Sequence, residues 1–278
     1  MILVRDENIS NLAKHIDENT LIQDVWEADL NGKTHVCMMS ALVPGAKIDT
    51  DCVTAGWPSW LVKQIVDRYD RISWQDIPDF TMSLAIAFSK NIDYDVLRDK
   101  YLIYLLNEGD YSVKDLVRRL QDNPKFRSRP NILRDYELFA MDMISSTTEI
   151  LKHRNNVSSD DPTYKKIVDK RIVQNIEALQ LYTDLLGPEN DPALRQHSRN
   201  MSKLICLIWR ILSGETDLAM RALAELRSQY IYMLYEICDS EGNSISLPGD
   251  IEDEVQYDVK RYLLKAIDES IIEDENDQ

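Results

Sequence analysis

Apolar residues recur at helical spacing through most of the chain. The clearest case runs from Trp57 through Trp60, Leu61, Val62, Ile65, Val66, Tyr69 and Ile72, the recurrence of a helix with one face turned inward. Pro58 suits the first turn, where its missing N–H is no loss. The pattern therefore predicts a helix from near Pro58 to near Ser73. Trp57, Trp60 and Trp74 lie close in sequence, and each indole buries roughly 150 to 250 Å². At helical spacing beside Leu and Val they are assigned to an N-terminal core rather than to a ligand-stacking platform.

The same logic covers the rest of the chain. A short helix or irregular lead-in is expected around Ile9, Leu12 and Ile16. Between Leu21 and Leu42, Asp29-Leu30-Asn31-Gly32-Lys33 fits either a hairpin turn or a helix end with Gly32 past the C-cap. Two helices are preferred there, because Val36 to Met39 and Ala41 to Val43 form a compact apolar block rather than an alternating one. Further helices are expected from Asp76 or Pro78 to Lys90, from Asp95 to Asn107, and from Ser112, with Asp115 favouring the positive helix start.

Asn123-Pro124 and Ser128-Arg129-Pro130-Asn131 break the pattern, and a domain boundary is placed there. Beyond it, helices are expected from Ile132 to Lys152, from Asp161-Pro162 to Gly187, from Asp191-Pro192 to Ser213, from Thr216 to about Cys238, and from Asp250 to about Ile272. Asp-Pro starts and Gly stops joined by short loops describe antiparallel neighbours. Leu204, Ile205, Leu207, Ile208, Ile211 and Leu212 make their helix apolar on most faces, which marks it as central. The fold class is all-α: an N-terminal helical subdomain over residues 1–125, an antiparallel helical bundle over residues 131–272, and an acidic tail over residues 273–278.

Composition sharpens this picture. Only 8 Gly and 9 Pro occur in 278 residues, leaving few sites for tight hairpins or phosphate-cradling loops. The 48 acidic and 32 basic residues give a net charge of −16. That balance argues against broad binding to nucleic acid or to an anionic membrane, and toward another protein with a basic face. Cys37, Cys52, Cys206 and Cys238 are scattered, as expected of buried thiols in a reducing cytoplasm. The longest apolar run, Leu204 to Trp209, is too short to cross a bilayer, so a cytoplasmic protein without a membrane segment is expected.

The succession from His35 to Ala46, then Cys52, Trp57-Pro58-Ser59-Trp60-Leu61, Ile92-Asp93 and Tyr101-Leu102-Ile103-Tyr104, resembles a loosely defined group of helical proteins from bacteria and their phages. The likeness covers roughly the first 110 residues and rests on packing positions. It implies a helical fold and a bacterial or phage origin, and it carries no activity or catalytic residue.

Strong chemical motifs are missing from the sequence: it has no Gly-x-Gly-x-x-Gly, phosphate loop, His-Glu-x-x-His, Gly-x-Ser-x-Gly or calcium loop. His15, His35, His153 and His197 are too far apart for a multi-His metal site on one helix, and no cofactor is expected. His35 near Cys37, and the carboxylate pairs Asp67 with Asp70 and Asp76 with Asp79, are the short-range candidates for nucleophile, cation or acid–base chemistry. A packed thiol and solvated helix faces are the preferred readings.

Charge is unevenly spread. Lys114 to Arg134 holds seven basic residues against two acids, whereas residues 251–278 hold ten acids against three bases. Arg118, Arg119, Lys125, Arg127 and Arg129 are therefore the candidate partner-binding residues, since Arg grips phosphates and carboxylates in bidentate fashion. The competing reading pairs them with the protein's own acidic helices, or with the acidic tail as a shield. The function expected is a non-enzymatic, partner-binding or regulatory protein with an acidic surface, such as a phage accessory or host-interaction factor. The alternatives are an all-α enzyme with a site between the two halves, and nucleic-acid binding through Lys114 to Arg134.

Overall fold

The computed structural model describes residues 1–122, 131–154, 192–235 and 249–272, with isolated helical residues between 162 and 177. The fold is predominantly helical, as the periodicity predicts, with one small hairpin among the described residues. Two compact units divide it. Unit 1 comprises Met1–Arg98 and Asp253–Gln278, and unit 2 comprises Asp99–Glu252.

In unit 1, α1 spans Asp6–Asp17. The Asn8 side chain accepts the Arg5 N–H at 2.8 Å, Asp6 and Glu7 occupy the positive first turn, and Leu12 is buried. Next comes an antiparallel pair, β1 (Glu27–Leu30) and β2 (Lys33–Val36). This hairpin corrects the expectation of two helices over residues 21–42. Asn31 and Gly32 form its two-residue turn with φ of +52° and +74°, the left-handed pair that such a loop demands. Its strands lacked an alternating signal because both faces are largely solvated: Val36 is the sole buried position in the two strands. The apolar block after Val36 is the short helix α2, Met38–Leu42, all of it buried.

α3 (Asp49–Thr54) opens on Asp51, whose carboxylate accepts the N–H groups of Lys47 and Ile48 at 2.8 and 3.2 Å. α4 (Ser59–Tyr69) follows Pro58 and buries Trp60, Leu61, Val62, Ile65 and Tyr69. α5 spans Ile77–Phe88. Trp57 is 2 % exposed and meets the Phe88 ring edge to face, with centroids 5.1 Å apart. Trp74 departs from the expected indole cluster: it is 61 % exposed, because it falls in the turn between α4 and α5 rather than on the inward stripe of either helix.

α6 (Tyr94–Ile103) runs on into a single π-helical turn, Tyr104–Glu108, which stops at Gly109. The division between the units falls within α6. In unit 2, α7 (Val113–Asp122) begins where Ser112 Oγ accepts the Asp115 N–H at 3.2 Å. α8 (Asn131–Arg154), α9 (Pro192–Leu212) and α10 (Thr216–Tyr235) follow. α7 packs on α8 and α10, and α9 packs on both α8 and α10. α9 buries Leu204, Leu207, Ile208 and Ile211 but turns Cys206 and Trp209 outward, so it is not enclosed on every side as its composition suggested.

The last helix, α11 (Gly249–Asp268), returns to unit 1 from Asp253 onward. Lys260 Nζ lies 5.3 Å from the centre of the Phe80 ring. The Asp93 N–H bonds Ser270 O at 3.0 Å, and the Ile272 N–H bonds Asn91 O at 2.8 Å. The units therefore do not follow the division expected at residues 125–131. Residues 99–122 pack with the later helices, and the C-terminal segment pairs with the N-terminal ones. Most of the helix expected over 161–187, the loop before α11 and the tail 273–278 lie outside the described residues.

Candidate functional site

Two of the five basic candidates can be placed. Asp115, in the first turn of α7, accepts Arg118 Nη2 at 2.7 Å and Arg119 Nε at 2.6 Å. It also accepts the Tyr111 N–H at 3.3 Å, and the Arg119 guanidinium stacks over the Tyr111 ring at 4.5 Å. One carboxylate of the same helix thus pairs with two arginines at i+3 and i+4. Lys125, Arg127 and Arg129 fall outside the described residues.

His35 and Cys37 do not form a catalytic pair. His35 Nδ1 lies 3.1 Å from Lys33 O on its own strand. Cys37 is buried at the start of α2, where its sulfur accepts the Ser40 N–H at 3.5 Å. Burial pushes the Cys37 thiol up, and pushes Cys52 up to about 12, so both stay protonated at neutral pH and are poor nucleophiles. His15 Nδ1 pairs with Thr20 Oγ1 at 2.8 Å, and His153 is exposed on α8. Among the described residues no group of three or more His, Cys, Asp or Glu is placed to hold a metal ion.

Folding assembles a different site at the base of the hairpin, from chain segments about 45 residues apart. Asp24, Val25 and Trp26 face Cys37, Met38 and Met39 and the last turn of α4, Val66, Tyr69 and Asp70, around a cavity of about 40 Å³. Two side chains hold the wall in place. Gln23 Nε2 donates to Ile72 O at 3.0 Å and also to Tyr69 O, satisfying carbonyls at the end of α4 that no helical N–H reaches. The Asp70 carboxylate accepts the Asp24 N–H at 3.0 Å. Asp24 sits at φ +65°, a left-handed conformation costing a non-glycine residue about 1 kcal/mol, which the bond to Asp70 helps to offset.

The cleft is electrically crowded. Burial raises the Asp70 pKa, the Asp24 N–H bond opposes this, and the neighbouring charges of Asp24 and Asp67 raise it again. Tyr69 is 1 % exposed. Its hydroxyl is buried; burial raises its pKa, the charges of Cys37 and Asp70 add to this, and a hydrogen bond from the Met38 backbone opposes it. Asp67 and Asp70 were singled out in the sequence by their helical spacing. Asp24 and Tyr69 were not, because an isolated acid before a strand and a tyrosine on an apolar stripe carry no local signal.

Comparison of the chain with protein-family models, with curated protein sequences and with solved structures finds no match.

Unit 2 encloses a second ionisable group. Glu137 on α8 is 8 % exposed, and burial lifts its carboxyl from its ordinary 4.5 to about 7, against a hydrogen bond from Gln121 of α7. Tyr230 of α10 is raised by its own burial and then by the Glu137 charge. Because the folded carboxyl holds its proton while the unfolded one releases it, stability falls as pH rises from about 4.5 to about 7 and stays reduced above that. Glu137→Gln is expected to stabilise the protein by roughly 2 to 3 kcal/mol above pH 7 and to have little effect below pH 4.5. Chemical denaturation of both proteins across that range checks this; a difference independent of pH would refute it.

Proposed function

We propose that the protein is a non-enzymatic, partner-binding protein that engages a basic segment of another protein through unit 1. The observation that supports this reading is the distribution of charge between the two units. Unit 1 carries 24 acidic against 12 basic residues, a balance of −12, whereas unit 2 carries 24 against 20, a balance of −4. Unit 1 therefore holds most of the net −16. A field of one sign over one unit steers a cationic partner toward it and repels nucleic acid and anionic membrane. No helix among the described residues is long and apolar enough to cross a membrane.

Titration of the full chain with a lysine-rich decapeptide, read by fluorescence anisotropy, tests the reading. Binding is expected at low salt and should weaken roughly tenfold on approaching physiological salt, as screening shortens the reach of exposed charges. Two results would overturn it. One is no peptide binding at low salt. The other is heparin binding that Arg118→Glu with Arg119→Glu abolishes, which would make unit 2 a polyanion site.

A further inference from the structure

The hairpin of unit 1 has one outer edge occupied and the other open. We propose that β1 is a docking edge, to which an extended basic segment of the partner protein adds as a third strand. This rests on the partner-binding reading above and names where, and in what conformation, that partner is held.

The register shows which backbone groups are open. The Cys37 N–H bonds Trp26 O at 2.9 Å, so that pair belongs to the ladder. The next pair, Glu27 with Val36, therefore turns its backbone groups outward, because such pairs alternate in an antiparallel ribbon. Val36 agrees from its own side: its N–H bonds Thr20 O and its carbonyl accepts the Ile22 N–H, both at 3.0 Å. The outer edge of β2 is thus occupied at Val36 by residues 20–22. β1 has no such neighbour. Alternation gives Asp29, opposite Thr34, the same outward direction as Glu27. Among the described residues no hydrogen bond reaches the backbone N–H or C=O of Glu27 or Asp29, and both residues are exposed. Their two donors and two acceptors stand in strand geometry, the template on which an added strand pairs.

Side chains then select the occupant. Pleating puts Glu27 and Asp29 on one face of β1 and Ala28 and Leu30 on the other. Asp29 Oδ1 accepts the Thr34 hydroxyl at 2.9 Å. Glu27 lies 3.8 Å from Lys47 Nζ in an exposed ion pair, which a partner's cation displaces at little cost. Leu30 is 47 % exposed. In an added strand, the residues directly opposite Glu27 and Asp29 share their face, so Lys or Arg at alternate positions makes the favourable cross-strand pairs. The positions between them meet Ala28 and Leu30 and suit apolar side chains.

The same arrangement rejects a second copy of the chain. When two β1 edges pair antiparallel through their outward groups, every register sets Glu27 or Asp29 of one copy opposite Glu27 or Asp29 of the other. Like charges directly opposite destabilise a sheet. The two acids therefore protect an open edge from self-association while leaving it available to a cationic strand.

The test uses the full chain and four peptides with blocked ends. The first is Lys-Val-Lys-Thr-Lys-Val-Lys, and the second holds the same residues in block order, Lys-Lys-Lys-Lys-Val-Val-Thr. The third and fourth repeat the alternating order with a methyl on the backbone nitrogen of every Lys, or of every Val and Thr. The alternating peptide is expected to bind about tenfold more tightly than the block peptide and to slow amide exchange at Glu27 and Asp29, read by NMR. Methylation at Lys should abolish that gain, because those N–H groups face β1. Methylation at Val and Thr should keep it, because those face away. Equal binding of the alternating and block peptides, unchanged exchange at Glu27 and Asp29, or indifference to methylation at Lys would each overturn the added strand while leaving the partner-binding reading standing. Failure of every peptide to bind at low salt would remove both.

Discussion

Replacing Arg154 by Met is expected to destabilise unit 2 by about 3 to 5 kcal/mol, one of the two largest effects foreseen in this protein. Asp99 is 1 % exposed on α6. Arg154, at the end of α8, donates from Nε to Asp99 Oδ2 at 2.8 Å and from Nη2 to Oδ1, a two-point grip matched to a carboxylate. Its Nη1 also lies 3.4 Å from Ile211 O near the end of α9. The pair therefore links the part of α6 that belongs to unit 2 with α8 and α9. Removing the guanidinium takes both of these charge-assisted hydrogen bonds from a carboxylate that stays buried. Replacing both, Asp99→Leu with Arg154→Met, should recover most of the loss, because both new side chains are apolar and neither charge is stranded. Amide exchange of α8 and α9 reports the stability of this unit separately. A single substitution costing under about 1 kcal/mol, or a double one costing as much as the single, would show that the pair is hydrated and weak.

Trp57→Ala should be comparable in unit 1, at about 3 to 5 kcal/mol. The indole is 2 % exposed, and its edge-to-face contact with Phe88, at 66° between planes, adds about 0.5 to 1.5 kcal/mol to the area it buries. Alanine leaves a void that α4 and α5 cannot close without moving from their places. Trp74 provides the internal comparison. At 61 % exposure it has little surface to lose, and Trp74→Ala should change stability by no more than about 0.5 kcal/mol. Thermal unfolding of the two variants decides it. Equal losses would mean that the aromatic core of unit 1 is not organised on Trp57.

These contrasts show how far residue order carries the structure. The α4 stripe was legible because burial on one side of a helix leaves a mark every three or four residues. The starts of α5 at Asp76, α7 at Ser112 and α9 at Pro192 were legible because each carries local turn or capping chemistry. The hairpin was misjudged even though Asn31-Gly32 is a strong two-residue turn signal. Its solvated strands offered no alternation to support that signal, and the apolar block beyond Val36 suggested a helix that begins only at Met38. Trp74 was misplaced for a related reason, since closeness in sequence to two core indoles does not put a turn residue on their face.

The candidate sites divide in the same way. Arg118 and Arg119 were visible as charge, and Asp115, which holds both, was visible as a neighbour three and four residues away. Asp24 against Asp70, 46 positions apart, and Asp99 against Arg154, 55 apart, were not visible. The sequence by itself determined the helical class, most helix boundaries and the excess of negative charge, because each is a sum or a short-range period. Only the tertiary structure decided which helices share a unit, how the C-terminal segment rejoins the first, and which carboxylates and tyrosine meet around a cavity. An apolar face specifies that it must be covered and leaves open what covers it.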